Sequence, residues 1–492
     1  MRKLSCFAMS GVVFSSCLWL TSPGLAASQA SEVEALKQEL AKTRELVESL
    51  TKSMQGLQQR LDQVEKGQEK AAGEPAREEV AKEVTPEPAA PAPPGLWSKQ
   101  VGATTLRLID LSFDLLVAVG SSTEQDAQIQ QLQGGEHDPR QRGFTLQALE
   151  LSAMGAVDPY FTAQANLVFF LDENGESQFE LEEAFLTTSS LPYGLQVKAG
   201  LFHTEFGRIN PQHPHQWAWL DQPFINTRLF GGDALRQVGA RLSWLTPLPW
   251  FSELIVGVQN PAGETMVSFL SNGETGTIGG RPFVDVNING LDDMFWNVRW
   301  NNSWDVSPEV TTVLGASAVF GPNATGSDGR TVIYGADLLV RWLPTVNFRG
   351  WPFLAWQTEI MSRDYKAASF SGEDTAGNPI FIPAATLNDW GLYTQLLYGF
   401  SYGWAAGLRG EFGTGGGNDV DADGNPVSRE TDPFRSNRFR ISPLLIYHLT
   451  EFSRLRLQFN YDHADFLPGG PDAYSVWLGA EVFFGAHAAH KY

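Results

Sequence analysis

Alternation with a period of two constrains this chain more than any other feature. From about Thr104 to Phe484, stretches of roughly ten to fourteen residues alternate apolar with polar side chains, the length and pattern of strands that cross a bilayer at a tilt. Successive side chains on a strand point to opposite faces. One face of each such strand would therefore be apolar and the other polar. Sixteen of these stretches begin near residues 104, 143, 160, 178, 194, 235, 251, 293, 308, 331, 352, 388, 402, 437, 452 and 473. In one, Val332, Tyr334, Ala336, Leu338, Val340 and Trp342 share a face opposite Asp337 and Arg341. In another, Leu455, Leu457, Phe459 and Tyr461 oppose Arg454, Arg456, Gln458 and Asn460.

A soluble sandwich also alternates, so the connections carry the distinction. After strands 2, 4, 6, 8, 12 and 14 come tight turns such as Asp158-Pro159, Pro192-Tyr193-Gly194, Thr246-Pro247-Leu248-Pro249 and Asp305-Val306-Ser307-Pro308. After odd-numbered strands come mostly longer polar loops, at 120–142, 203–234, 261–292, 364–387 and 413–436. Bacterial transmembrane barrels have short periplasmic turns and long external loops. An even strand number then places both termini in the periplasm. The expected fold is an all-β, antiparallel transmembrane barrel of about sixteen strands. Trp244, Trp250, Trp296, Trp300, Trp304, Trp342, Trp351 and Trp390 lie near strand ends, as interfacial aromatic girdles require.

Composition agrees. A mean hydropathy of -0.19 is too polar for a helical membrane protein, but fits strands whose lumen-facing half is polar. The formal charge of -21 argues against nucleic acid as a partner. Residues 1–26 read as a secretory signal: Arg2 and Lys3, an apolar core over 4–20, and Gly24-Leu25-Ala26 as the cleavage site. Both cysteines, Cys6 and Cys17, lie there, so the mature chain would have none; acylation at Cys17 is the alternative processing route. Residues 32–68 form heptads, with Val33, Leu40, Val47, Met54 and Leu61 at a and Leu36, Thr43, Leu50, Leu57 and Val64 at d. This predicts a periplasmic coiled coil, which would assist a homotrimer or touch peptidoglycan. Residues 69–99, rich in Pro, Ala and Glu, form an extended linker. Residues 100–492 are the barrel.

The loop 203–234 concentrates polar chemistry. It contains His203, Glu205, Arg208, His213-Pro214-His215, Asp221 and Arg228, and runs into Asp233 and Arg236. If it folds into the lumen, Glu205, Arg208, Asp221, Arg228, Asp233 and Arg236 set the field at a constriction. Imidazoles at positions i and i+2 of an extended segment point the same way. His203, His213 and His215 are therefore candidate ligands for zinc, with loop packing as the plainer role. No other cofactor is expected. Arg241, Arg299, Arg341, Arg409, Arg438, Arg440, Arg454 and Arg456 alternate toward the lumen, with Asp337, Glu359, Glu411 and Glu481 among them. This mixed wall suits a general hydrophilic pore rather than an ion ladder of one sign. Asp421-Ala422-Asp423-Gly424-Asn425 lacks the distal glutamate of a calcium loop. No nucleophile–base arrangement, phosphate loop or haem motif marks the chain as an enzyme. The final Tyr492 keeps the lipid-facing parity of Phe484, Val482, Ala480 and Leu478, and a strand running to it would send His487 and His490 to opposite faces.

In architecture the chain resembles the phosphate-selective porin O/P superfamily and related trimeric porins with a periplasmic coiled coil. Closer local similarity lies in the stretch from Phe206-Gly207-Arg208 to His213-Pro214-His215, in Leu242-Ser243-Trp244-Leu245 with Pro247 and Pro249-Trp250, and in Gly485-Ala486-His487 to Tyr492. These look like outer-membrane proteins labelled zinc-regulated, TonB-dependent receptors, a label that implies metal-linked uptake. The residues and the porin resemblance together predict a Gram-negative outer-membrane porin for passive diffusion of small hydrophilic solutes or ions. A zinc-associated uptake protein and a tether between outer membrane and cell wall are the alternatives.

Overall fold

The computed structural model describes residues 98–101, 104–107, 109–172, 174–271, 276–373 and 377–485. The signal segment 1–26, the heptads 32–68, nearly all of the linker and the C-terminal His487, His490 and Tyr492 lie outside these residues.

Sixteen antiparallel strands close on themselves in chain order. They are β1 (Asp110–Ser122), β2 (Gly143–Ala156), β3 (Phe161–Leu171), β4 (Ser177–Thr188), β5 (Leu195–His203), β6 (Arg236–Leu245), β7 (Phe251–Gln259) and β8 (Phe295–Ser307), followed by β9 (Val310–Pro322), β10 (Arg330–Trp342), β11 (Phe353–Ala367), β12 (Ala385–Ser401), β13 (Trp404–Gly416), β14 (Arg438–Thr450), β15 (Ser453–Ala464) and β16 (Asp472–Gly485). Closure comes from β16 pairing with β1, in the register Ser475↔Ser122 to Gly485↔Ser112. Every strand then has two neighbours, so no row of backbone amides faces lipid unpaired.

At one end the connections are short, with two residues at 402–403 and at 451–452. The opposite end carries eight loops, here L1 (123–142), L2 (172–176), L3 (204–235), L4 (260–294), L5 (323–329), L6 (368–384), L7 (417–437) and L8 (465–471). The expected short–long order holds, though L2, L5 and L8 are also short. Two short helices, Asp126–Leu132 in L1 and Phe224–Phe230 in L3, interrupt the all-β pattern.

The first strand begins later than the alternation implies. Residues near Thr104 belong to a small hairpin that pairs Ser98–Val101 with Thr104–Arg107. The barrel starts at Asp110, where a partner in β2 first becomes available: Asp110 lies opposite Met154. The linker–barrel boundary near residue 100 therefore falls within this hairpin.

Alternation sorts the side chains as expected. On β15, Leu455, Leu457 and Phe459 are exposed on the outer face, whereas Arg456, Gln458 and Asn460 are fully buried inward. On β10, Tyr334 is exposed and Asp337 is buried. Trp244, Trp250, Trp300 and Trp390 face outward. Trp351 does not join that girdle; it packs against an inner cluster built around Trp219, Ala405, Leu444 and Ile446.

The barrel's main hydrophobic core lies inside its lumen. L3 supplies Phe206, Ile209, Trp217, Ile225, Leu229, Phe230 and Leu235, which pack with Met266 and Phe269 of L4 and with Phe295, Val319, Ile333, Met361 and Tyr393 on the strands. Wall glycines leave room for them. A Cβ at Gly479 would sit 2.2 Å from Leu220, and one at Gly391 or Gly413 would sit 2.7 Å from Ile225 or Phe224. No residue of L3 is exposed.

Two departures from regular pairing shape the upper part of this plug. Opposite β3, the register of β4 slips between Asn166 and Leu167, and Glu182 is the extra residue. This bulge turns the adjacent Glu182 and Glu183 to the same buried side. Between β4 and β5 the ladder runs only from Ala184↔Leu201 to Thr187↔Lys198. Above it, the His203 amide donates to Glu183 Oε1 at 3.1 Å instead of to a strand carbonyl.

Candidate functional site: loop L3 in the barrel lumen

L3 begins where β5 ends and crosses to several walls. Near its start the Gly207 amide donates to Ser317 Oγ on β9 at 3.2 Å, and the Arg208 amide donates to Glu359 on β11. Glu205 ion-pairs with Arg241 at 3.2 Å and Lys198 at 3.4 Å. Further along, Trp219 Nε1 donates to the Ser442 carbonyl on β14 at 2.9 Å. The Phe224 amide donates to Glu411 Oε2 on β13 at 2.7 Å. Arg456, on β15, donates to the carbonyls of Trp217 and Trp219 at 3.0 and 3.1 Å.

Asp221 is the polar centre of this side. It accepts from Arg440 Nη1 at 2.8 Å and Gln458 Nε2 at 2.9 Å, and it also pairs with Arg409. Arg409 in turn donates to Glu411 at 2.8 Å. Each cation here faces a carboxylate, so the charges are held in ion pairs and not in a free basic strip. The same rule governs Arg299, which binds Asp337 through two nitrogens at 2.7 and 3.1 Å, and Arg454 and Arg456, which converge on Glu481. Arg341 is half-buried on β10. Of the expected constriction residues, Arg228 donates to the Ser436 carbonyl at 2.9 Å. Asp233 and Arg236 pair with each other, and Arg236 reaches Glu180 at 2.5 Å. Glu205, Arg208, Asp221, Arg228 and the Asp233–Arg236 pair thus meet different partners around L3.

The histidines gather beside β2, β4 and the end of β5. The His203 and His213 rings stack with centroids 5.0 Å apart, and the His213 and His215 rings with centroids 5.8 Å apart. His213 Nδ1 lies 2.7 Å from Glu182 Oε2, and its Nε2 lies 2.9 Å from Glu183 Oε2. His215 Nδ1 lies 2.8 Å from Glu150 Oε2. Burial disfavours the charged imidazole of His213, a loop residue, but Glu150 and Glu182 outweigh it and hold its pKa well above the ordinary histidine range.

Donor atoms within 4.8 Å of one another fall into overlapping sets: Glu183 with His203 and His213, Glu150 with Glu182 and His213, Asp114 with Glu150 and His215, and His137 with Glu180, Glu182 and Asp233. His203 and His215 share no set. The alternating pattern does not disclose these carboxylates, because the β4 bulge brings two neighbours to one face. Their sequence signal is the pair Glu182-Glu183, which breaks the period of two.

A closed sixteen-strand barrel, apolar outside and charged inside, with its third loop, L3, tucked into the lumen, sets the architecture. The chain forms a closed antiparallel β-barrel with the outward-apolar, inward-polar faces of a transmembrane barrel. No family model matches it. A curated protein of Aquifex aeolicus (strain VF5), described only as an uncharacterized protein, is 28% identical over 410 residues, spanning 78% of this chain and 80% of that one. Among solved structures, the anion-selective porin from Comamonas acidovorans is 11% identical, with a TM-score of 0.44 over 76% of this chain and 99% of that one. The outer membrane channel DcaP of Acinetobacter baumannii has the same identity and TM-score, over 76% and 97% of the two chains. A loop L8 deletion mutant of OmpT, an outer membrane protein of Vibrio cholerae, is 8% identical with a TM-score of 0.43, over 76% and 99%. These likenesses concern the barrel fold alone. Sixteen strands are also too few for a TonB-dependent transporter, whose barrel has 22, so the strand number does not support that resemblance.

Proposed function

We propose that this chain is an outer-membrane porin through which small hydrophilic solutes or ions diffuse passively, with L3 as its constriction. The observation that carries this reading is the combination of a closed barrel, an apolar outer face and a lumen lined by alternating arginines and carboxylates around L3. Lipid covers the outer belt, and polar side chains inside replace the hydration of a passing solute. The wall offers both signs of charge, which favours hydrophilic solutes broadly over one class of ion. Glu205, Arg208, Asp221, Arg228 and Asp233 on the loop and Arg236 at the start of β6 are the proposed selectivity residues, facing Arg241, Arg299, Asp337, Arg341, Arg409, Glu411, Arg454 and Arg456 on the wall. A homotrimer, joined through the barrel and the heptads of 32–68, is the proposed assembly. In planar bilayers the purified protein should give discrete, ohmic conductance steps.

One observation favours a second reading. L3 is bonded to many strands and buries a hydrophobic cluster in the lumen. A barrel sealed in this way would serve as a membrane anchor, tethering the periplasmic heptads to peptidoglycan. Absence of conductance in the pure protein, with pull-down on peptidoglycan, would replace the porin reading by this one.

A further inference from the structure

We infer that Glu183, His203 and His213 form a binding site for a first-row divalent metal of the zinc class, which pins L3 to the barrel wall. The inference goes beyond the diffusion reading and does not depend on it.

The three ligands come from three different elements. Glu183 stands on β4 beside the bulge, His203 ends β5, and His213 lies within L3. All three are buried, and their donor atoms lie within 4.8 Å of one another. Donors held about 2.1 Å from a tetrahedral zinc are roughly 3.4 Å apart, so modest side-chain rotation closes the set.

His203 points to a ligand independently. It is 4% exposed, and neither Nδ1 nor Nε2 has a hydrogen-bond partner. A buried imidazole with both nitrogens unsatisfied has given up water without compensation. Its ring lies against that of His213 at 5.0 Å, at the mouth of the same donor set. A metal ion would accept its lone pair.

The surroundings of His213 match an outer shell. Its Nε2 is beside Glu183 Oε2, while its Nδ1 is 2.7 Å from Glu182 Oε2. With the ion on Nε2, Nδ1–H donates to Glu182, the carboxylate–histidine arrangement that fixes tautomer and ring orientation. Binding exchanges the proton on Nε2 for the ion. The other oxygen of Glu183 accepts the His203 amide at 3.1 Å, which holds the carboxylate in place. Two imidazoles and a carboxylate suit zinc, and copper or nickel less specifically, better than calcium or magnesium, which prefer oxygen. His215, bound to Glu150, lies outside the set.

The test uses the full chain, folded in detergent, stripped with EDTA and titrated with Zn²⁺ against a chromophoric chelator. The wild type should bind one Zn²⁺ per chain. His203→Gln and Glu183→Gln should weaken binding at least about tenfold, and His215→Gln should leave it unchanged. Heat-modifiable migration on SDS gels reports that each variant is folded. Failure of the wild type to bind stoichiometrically, or equal affinity in His203→Gln, overturns the inference, as does an equal loss in His215→Gln. Should the variants not fold, Co²⁺ added to the wild type decides: d–d absorption bands of nitrogen coordination support the site, and their absence overturns it. Bilayer conductance is read separately, so a failed channel and a failed metal site are distinguishable.

Discussion

Arg440 Nη1, on the wall strand β14, donates to Asp221 Oδ2, on the loop L3, at 2.8 Å, and both side chains are buried. This pair joins an element whose position no strand register dictates to one whose position is dictated entirely by register. Asp221 is shared with Arg409 and Gln458, so three wall groups depend on one loop carboxylate.

Replacing Asp221 by Ala would leave two buried guanidinium groups without that partner. The expected cost is about 3–5 kcal/mol. It should be visible as a lower urea midpoint for the barrel in detergent micelles, together with larger or noisier conductance as L3 loosens. An unchanged midpoint would show that the pair does not hold the loop.

Packing of L3 on glycines gives a steric counterpart. Gly479 faces Leu220 so closely that a Cβ would lie 2.2 Å from it. Gly479→Val should displace Leu220 and destabilise the protein by about 1–3 kcal/mol through overpacking. Added Leu220→Ala should recover part of that loss, measured as a double-mutant cycle.

The lipid and lumen faces can be told apart on adjacent residues. Leu457 is 46% exposed on the outer face, and Gln458 is fully buried on the inner one. Leu457→Arg should cost about 2–4 kcal/mol if it lies near mid-bilayer. A spin label on a cysteine at 457 should be relaxed strongly by dissolved oxygen, and one at 458, on the inner face, should be relaxed much less. Equal oxygen accessibility at the two positions would refute the assigned parity.

The β4 bulge makes a sharper demand. Deleting Glu182 removes the extra residue and leaves Leu181 and Glu183 opposite Leu167 and Asn166 in unbroken alternation, so the faces are kept while the Glu182–His213 contact is lost. The deletion should keep the heat-modifiable folded band but lower the urea midpoint as L3 loosens. Glu182→Gln, which keeps the bulge, should also retain the band. Loss of the band in the deletion variant alone would show that the bulge itself is required for barrel closure.

The wall pair Arg299–Asp337 is bidentate and independent of L3's polar bonds on β13 and β14. Arg299→Ala should destabilise the barrel by about 3 kcal/mol by stranding Asp337. Arg299→Ala with Asp337→Ala should cost less than the sum of the two single changes. Additivity within about 0.5 kcal/mol would mean that the two groups are energetically uncoupled.

The strand count, the direction each strand presents to lipid, and the alternation of short turns with long loops were all legible without a structure. They are local quantities: a period of two, and the distance between turn residues. Leu457 against Gln458 and Tyr334 against Asp337 follow from parity alone. Even so, alternation starts the first strand too early, since at 104–107 it does not reveal that these residues pair within a separate hairpin. A place beside a turn puts Trp351 in the girdle, but the inner cluster around Trp219 of L3 offers it a partner.

By itself, then, the sequence determined the sheet: polar and apolar residues two apart, repeated sixteen times, leave closure as the way to satisfy every backbone amide in lipid. It also marked L3 as chemically dense. Only the tertiary structure decided what that chemistry meets. Glu150 comes to the histidines from β2, and Glu182 and Glu183 come from β4, where a bulge turns both to one side, and Asp221 finds Arg409 and Arg440 on β13 and β14. Contacts between residues far apart in the chain depend on barrel diameter, stagger and loop path, none of which a repeating local pattern encodes.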